Sequence, residues 1–251
     1  MSRSGGAIPL TLMTGAILLA ACVEIPTGAN EILSVQFNPL PSPSVVVGDS
    51  LRDTLGIVRP VTLSAYNYSG DLVENPQVKF STVDRGLHVD SLTGIVRGDS
   101  VRSSARIFAS LKQLTAIATI AVTQRPDSVV GSNDRDSLSY SLTDTLNVSN
   151  AIGVKVVHKV DSTATAVASY LVSFRIVSPA DTTLARLVTE AGARSSIDTT
   201  DASGFAGRRI KLDVTKLTAL NDSVIVQATV KYRGQNIRGS PARLVLKVKP
   251  K

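Results

Sequence analysis

The chain has 251 residues, with 27 Lys and Arg residues against 20 Asp and Glu residues, two His, one Cys and no Trp. This length allows two domains of modest size, each large enough for a hydrophobic core. One Cys excludes an intrachain disulfide, and one Cys with two His cannot complete a four-ligand zinc site of these residue types. Only the N-terminal apolar segment approaches the length of a membrane span, so the rest of the chain is expected to be water-soluble.

The N-terminus has the pattern of a secretory signal that is followed by a cysteine. Arg3 supplies a short positive region, and the segment from Ala7 to Ala21 carries no charge. An apolar segment of about 15 residues is short for a membrane span and typical of a signal peptide with small residues before its cleavage site. The segment ends with the residues Leu19, Ala20, Ala21 and Cys22.

These four residues resemble the lipobox of bacterial lipoprotein precursors, which reads Leu, a small residue, a small residue, then Cys. The resemblance implies that residues 1–21 are removed and that Cys22 becomes an acylated N-terminus with a diacylglycerol thioether. At about 0.8 kcal/mol per buried CH2, two or three long chains hold a protein durably at a membrane. Val23 stands where the inner-membrane retention pattern of diderm bacteria has Asp, so the resemblance favours the outer membrane of such a cell. The alternative is a secreted protein whose single Cys is unmodified.

The chain after the signal is predicted to be a short tether followed by β-strands. Residues 22–30 include Pro26 and Gly28, show no periodicity and are predicted to be the tether. From Glu31 onward, apolar and polar residues alternate with period two between turn-forming residues, which predicts many short strands and no amphipathic helix. The fold class is therefore predicted to be all-β, as sandwiches or barrels. The alternating positions in chain order include Val78, Phe80, Ile107, Ala109, Ala118, Ile120, Val122, Tyr170, Val172, Phe174, Ile176, Val224, Val226, Ala228, Val230, Leu244, Leu246 and Val248.

A stretch of low hydrophobic content divides the chain in two. Residues 125–137 contain Pro126 and Gly131 with several acids, and Val129 and Val130 are almost their only apolar residues. We predict a linker at 125–137, between a first β-domain over residues 31–124 and a second over residues 138–251. Each has the size of an immunoglobulin-like unit.

The first domain resembles the bacterial immunoglobulin-like group 2 family. The family usually has Trp where Phe80 stands, and Phe80 keeps a large ring at that position. The resemblance implies an immunoglobulin-like sandwich. It is carried, in order, by VVVGDS at residues 45–50, VTLSA at 61–65, SG at 69–70, VKFSTVD at 78–84 and VDSLTGIV at 89–96.

The second domain is similar to the invasin-like group 1 family of bacterial immunoglobulin-like domains, in which a Thr-Asp-x-x-Gly turn precedes a strand. Asp201 can accept hydrogen bonds from the backbone just after it, and Gly204 can close the turn. The resemblance implies a second sandwich of the kind that recurs in bacterial adhesins and invasins. It is carried by IGVKVV at residues 152–157, LVSFRIV at 171–177, TDASGFA at 200–206, RRIKL at 208–212 and VIVQATV at 224–230.

Several short patterns suggest chemistry without completing it. Residues 48–51 read Gly-Asp-Ser-Leu, the nucleophile block of an esterase superfamily, and 98–101 read Gly-Asp-Ser-Val. The Asp-x-x-His base of that superfamily is missing: Arg85 precedes His88 by three residues, and Lys155 precedes His158. The chain is therefore not expected to be an enzyme, and a partly covered strand position is the simpler interpretation of His158.

The remaining polar patterns are expected to bind nothing specific. Asn133 to Asp136 can offer oxygen ligands to calcium, but Arg135 intrudes and no closing Glu follows. Asn-x-Ser triplets begin at Asn67, Asn147 and Asn221, and a bacterial lipoprotein makes them chance matches. Basic residues of the C-terminal half lack the interleaved aromatic residues of a nucleic-acid interface, so we expect no nucleic-acid binding, no cofactor and no metal.

These observations together predict a non-catalytic, lipid-anchored protein of the cell envelope. Its membrane contact is the lipid on Cys22, and its immunoglobulin-like domains serve adhesion, surface presentation or binding of a protein or cell-surface polymer. The alternatives are a structural subunit or scaffold of an envelope complex and, from another class, an esterase or carbohydrate-active accessory protein.

Overall fold

The structure is a computed structural model that describes residues 31–143, 147–180, 183–213 and 223–251. These residues form twenty β-strands and no helix. No helix of the described chain is therefore long and apolar enough to cross a membrane. The predicted signal, the lipobox residues Leu19, Ala20 and Ala21, and Cys22 with its tether lie outside the described residues, as does Asn221.

Eight strands form the first sandwich. Its larger sheet has the order β2-β8-β7-β4, with β2 parallel to β8 and the other pairs antiparallel. The opposite layer consists of the pairs β1-β3 and β5-β6, which backbone hydrogen bonds such as Val61 N–H to Gly94 O (2.9 Å) tie together. The strands are β1 (Ile32–Phe37), β2 (Ser44–Val46), β3 (Leu63–Asn67), β4 (Lys79–Ser81), β5 (Leu87–Val89), β6 (Val96–Gly98), β7 (Arg102–Leu111) and β8 (Leu114–Thr123).

The second sandwich has twelve strands: ten form its two sheets, and β18 and β19 form a separate hairpin. One sheet has the order β10-β20-β17-β13-β15, with β10 parallel to β20, and the other has the order β12-β11-β16-β14, with β9 also paired to β11. The strands are β9 (Ser128–Ser132), β10 (Arg135–Tyr140), β11 (Ile152–Val160), β12 (Thr163–Ala166), β13 (Leu171–Ser178), β14 (Ala185–Val188), β15 (Ile197–Thr199), β16 (Phe205–Leu212), β17 (Ser223–Thr229), β18 (Lys231–Tyr232), β19 (Gln235–Asn236) and β20 (Ala242–Pro250).

Each sandwich has its own hydrophobic core between its two layers. The first core includes Phe80 and Ile107, and the second includes Phe174 and Val226. Along β17 the burial alternates residue by residue, because successive side chains of a strand point to opposite faces of the sheet. Except for Ala118, the period-two positions named above lie in one of the two cores or pack against it.

Both sandwiches share the strand pairing of immunoglobulin-like domains. In each, a short early strand runs parallel to the last long strand, which continues antiparallel into two more strands, giving β2-β8-β7-β4 and β10-β20-β17-β13. The remaining strands cover the other face, as the A, B, E and D strands do in the immunoglobulin fold. The prediction of an all-β, sandwich-type fold is confirmed.

The segment predicted to be a linker, residues 125–137, contains strands. β9 pairs antiparallel with β11, and β10 begins at Arg135 and pairs parallel with β20. Val129 is buried in the second core. Gly131 and Ser132, whose composition suggested a flexible connection, instead end β9, and Asn133 and Asp134 make the turn to β10. The segment is therefore part of the second sandwich, and only residues 124–127 separate β8 from β9.

Candidate binding site at the junction of the two sandwiches

The loop after β2 carries a buried carboxylate to the surface that faces the second sandwich. Gly48 has φ of +74°, a value that glycine adopts without strain, so the chain turns directly after β2. The turn is closed by a hydrogen bond from Asp49 N–H to Val46 O (3.0 Å), and Gly98 N–H donates to Asp49 O (3.1 Å). Asp49 is thereby fixed at the base of the loop.

The Asp49 side chain is 4% exposed and accepts four hydrogen bonds. Two come from Arg52, from Nε at 3.0 Å and from Nη2 at 2.9 Å, and one comes from Ser50 N–H at 2.8 Å. The fourth comes from Arg233 Nε of the second sandwich at 2.8 Å. We call Asp49, Arg52 and Arg233 the junction clamp, because one buried carboxylate joins guanidinium groups from both sandwiches.

The clamp holds Asp49 in its charged form. Burial raises the pKa of the Asp49 carboxyl, but the hydrogen bonds from Arg52, Arg233 and Ser50 N–H outweigh burial and hold the pKa well below its usual range. The neighbouring Tyr232 is affected in the opposite direction, since burial and the Asp49 charge raise the pKa of its phenol. At the clamp, the Asp49 carboxylate therefore stays ionised and the Tyr232 phenol stays neutral.

A tight hairpin presents Arg233 to the first sandwich. Arg233 and Gly234 connect β18 to β19 and have φ of +49° and +80°, as the two-residue type I′ turn requires. The Arg233 guanidinium also lies 5.3 Å from the ring centroid of Tyr232. The hairpin thus fixes both the backbone and the side chain that meet Asp49.

Two further contacts hold the sandwiches together. Gly56 packs against the hairpin so closely that a Cβ atom on Gly56 would collide with the backbone N of Gly234. In addition, Thr123 Oγ1 donates to Ala168 O (2.7 Å) and Thr165 Oγ1 donates to Gln124 Oε1 (2.6 Å). The sandwiches therefore meet at two separate places and not only through the chain between them.

A cavity of about 350 Å³ opens beside the junction clamp. This volume lies at the lower end of the range of small-molecule pockets. Residues of both sandwiches line the cavity, and we call it the junction cavity. Its polar lining includes Ser42, Ser50, Thr54, Arg52, Asp49, Tyr170, Ser173, Arg175, Gln227, Thr229, Lys231, Tyr232 and Arg233.

The Gly-Asp-Ser-Leu segment that resembled an esterase block has a structural role here. Gly48 ends the strand region after β2, and Asp49 binds two guanidinium groups while it accepts the N–H of Ser50. His88 lies on the short strand β5 and is exposed, and His158 lies on β11. The segment builds the junction clamp.

His158 has a carboxylate partner that could not be expected from the amino-acid sequence. Its Nδ1 lies 2.6 Å from Asp127 Oδ2. Asp127 also accepts hydrogen bonds from Lys159 N–H at 2.9 Å and from Arg125 Nε at 2.8 Å. Burial raises the pKa of the Asp127 carboxyl, and these hydrogen bonds outweigh burial and lower it. These contacts of Asp127 anchor the chain at the start of the second sandwich, shortly after β8.

The candidate calcium ligands are not gathered around one point. Asn133 has φ of +54° and donates its side-chain amide to Ala151 O, while Asp136 Oδ1 accepts Ser137 N–H at 2.8 Å. Across the described ranges of the chain, no three His, Cys, Asp or Glu side chains form a group that fits a metal ion.

Comparison with known proteins gives remote structural likenesses and no family. No family model and no curated protein sequence matches the chain. Domains 4 and 5 of the S-layer protein SbsC are 11% identical with a TM-score of 0.32, over 87% of this chain and 99% of that one. Human protocadherin-24 EC1-2 is 14% identical with a TM-score of 0.28, over 88% and 100% of the two chains. Drosophila N-cadherin EC1-4 is 10% identical with a TM-score of 0.27, over 87% and 50%. Likenesses this remote assign no function, and the fold follows from the strand pairing itself.

Proposed function

We propose that the protein is a non-catalytic, lipid-anchored component of the bacterial cell envelope. In this proposal its two immunoglobulin-like sandwiches form one stiff arm for adhesion or surface presentation. The observation that carries the proposal is the junction clamp, in which Asp49 of the first sandwich binds Arg233 of the second at 2.8 Å. Only the Asp49 end of this contact is buried, so the contact by itself contributes modest stability. Together with the close packing of Gly56 on the hairpin and the hydrogen bonds of Thr123 and Thr165, it favours one fixed arrangement of the two domains.

The proposed anchor lies at the end of the chain next to the first sandwich. Ile32, the first strand residue, follows Cys22 by ten residues. Ten residues extend to at most about 35 Å, so a lipid on Cys22 keeps the first sandwich close to a membrane. The second sandwich then forms the distal end of the arm, where its loops and edge strands can meet a partner.

Replacement of Cys22 by Ser is expected to release the protein from membranes. Without the thiol there is no thioether to diacylglycerol, and the acyl chains that supply about 0.8 kcal/mol per buried CH2 are lost. The measurement is the distribution of the full-length chain between membrane and soluble fractions, together with its phase in a detergent partition. The parent chain and a Thr27→Ser variant of the tether are expected in the membrane and detergent fractions. If Cys22→Ser stays there in the same proportion, the lipoprotein proposal is wrong.

A further inference from the structure

The junction cavity carries an excess of positive charge that the clamp does not neutralise. Its lining has four cations, Arg52, Arg175, Lys231 and Arg233, against two carboxylates, Asp49 and Asp53. Both carboxylates are already bound to guanidinium groups: Asp49 to Arg52 and Arg233, and Asp53 to Arg59 at 3.0 Å. The cavity therefore attracts anions and offers none of its carboxylates to an incoming cation.

Two of these cations have charge available for a ligand. Among the described residues, no carboxylate lies within 4.0 Å of Arg175 or Lys231, and Arg175 makes only a long hydrogen bond to Gln227 Oε1 (3.5 Å). Gln227 on β17 pairs with Arg175 on β13 and with Arg243 on β20, so a further cation lies next to Gln227 on the adjacent strand. A guanidinium group presents paired donors that match a carboxylate or phosphate group.

Neutral polar groups lie beside Arg175 on the same sheet. Ser173 and Thr229 are directly opposite each other on β13 and β17. They lie two residues along these strands from the pair Arg175 and Gln227, and therefore on the same face of the sheet. Hydroxyl and amide groups both donate and accept hydrogen bonds. Tyr170, whose hydroxyl donates to Lys231 O (2.6 Å), adds an aromatic ring to the wall. Cations, mixed donors and acceptors, and an aromatic ring together fit an oxyanion carried on a hydroxyl-rich ring.

We propose that the junction cavity binds an acidic saccharide unit, with Arg175 and Lys231 holding its oxyanion and Ser173, Gln227 and Thr229 holding its hydroxyl groups. This site goes beyond the proposed function, because it needs neither the lipid on Cys22 nor the tether. Since both sandwiches line the cavity, the bound sugar contacts both domains. The arm then recognises an anionic glycan at the junction of its two sandwiches, a site separate from the distal loops.

The test is calorimetric titration of the full-length chain, purified in a non-ionic detergent, with tri-galacturonate. We expect saturable binding that weakens as salt is added, because the contact is charge-assisted. The double variant R175Q/K231Q is expected to bind at least about tenfold more weakly, which corresponds to the loss of one charge-assisted hydrogen bond or more. The control K155Q/K211Q removes the same charge from the opposite sheet and is expected to bind as the parent does. Arg175, Lys231 and Lys155 are exposed and Lys211 is half-buried, and equal thermal unfolding temperatures establish that both variants fold.

Two matched ligands separate the chemistry of the site from general attraction. The methyl-esterified trimer has the same rings without the charge, and inorganic phosphate has charge without a ring. Both are expected to bind at least about tenfold more weakly than tri-galacturonate. The proposal is overturned if the parent does not bind tri-galacturonate, if the ester or phosphate binds equally well, or if R175Q/K231Q keeps the parent affinity.

Discussion

Phe80→Ala is expected to lower the free energy of unfolding of the first sandwich by about 3 to 5 kcal/mol. Phe80 is 7% exposed, its ring centroid lies 6.4 Å from that of Phe37, and its ring packs against Gly94. Truncation removes this ring from the layer between β4 and the opposite strands and leaves a cavity that a close-packed core fills only in part.

The matched variant for the second sandwich is Phe174→Ala, since Phe174 is 3% exposed at the centre of the other core. Because the two cores share no residue, each substitution is expected to destabilise mainly its own sandwich. Hydrogen exchange of the backbone amides of β7 and β8 measures the stability of the first sandwich, and exchange of those of β13 and β17 measures the stability of the second. Equal acceleration of exchange in both sandwiches by Phe80→Ala would show that the two cores unfold as one unit.

Asp49→Asn is expected to lower the free energy of unfolding by about 2 to 3 kcal/mol, the second largest effect that we predict. The substitution keeps the shape of the side chain but removes the charge to which Arg52 and Arg233 donate. Hydrogen bonds to charged groups contribute about 1.5 to 3 kcal/mol, and a buried carboxylate with two guanidinium partners lies at the upper end. Arg233→Gln leaves the pair with Arg52 intact and removes a side chain that is 53% exposed, so we expect a loss of only about 0.5 to 1 kcal/mol.

The same carboxylate gives the stability a definite dependence on pH. Its pKa in the folded chain is lower than in the unfolded chain, so the unfolded chain binds the proton first as the pH falls. The contribution of Asp49 is therefore complete above the ordinary carboxyl pKa of about 4 and is lost as the pH decreases below that value. In denaturant titrations, the free energy of unfolding is expected to decrease less between pH 7 and pH 3 for Asp49→Asn than for the parent. An identical loss in both proteins would mean that Asp49 is not held in its charged form by the clamp.

The strand pattern could be predicted because burial on one face of a sheet leaves a period of two in the sequence. Phe80, Ile107 and Phe174 are buried where the alternation placed them. The edge strands β9 and β10 were missed, because strands with one exposed side have few apolar residues and resemble a linker. Gly98 ends β6, where a Cβ atom would lie 2.9 Å from Val46 O and 2.8 Å from Val122 Cγ1. A glycine required by close packing cannot be distinguished from a turn glycine in one sequence.

The junction clamp could not be predicted for a different reason. Asp49 and Arg233 are 184 residues apart, and nothing local to either residue indicates the other. In the sequence, this segment matched an esterase nucleophile block and a group 2 immunoglobulin-like motif, and neither match indicates an ion pair. The His158 and Asp127 contact shows the same limit, since it depends on how β9 pairs with β11. Contacts that depend on the pairing of distant strands appear only when the chain has folded.

The stiffness of the arm is tested most directly by the distance between two spin labels, one on each sandwich. Ser91→Cys and Ser139→Cys place the labels at exposed positions of the first and second sandwich, in a chain whose Cys22 is replaced by Ser. Pulsed electron paramagnetic resonance is expected to give one narrow distance distribution, which broadens when Asp49→Asn is added. A distribution that is equally broad with and without Asp49→Asn would contradict the account, because the clamp would then not fix one domain relative to the other.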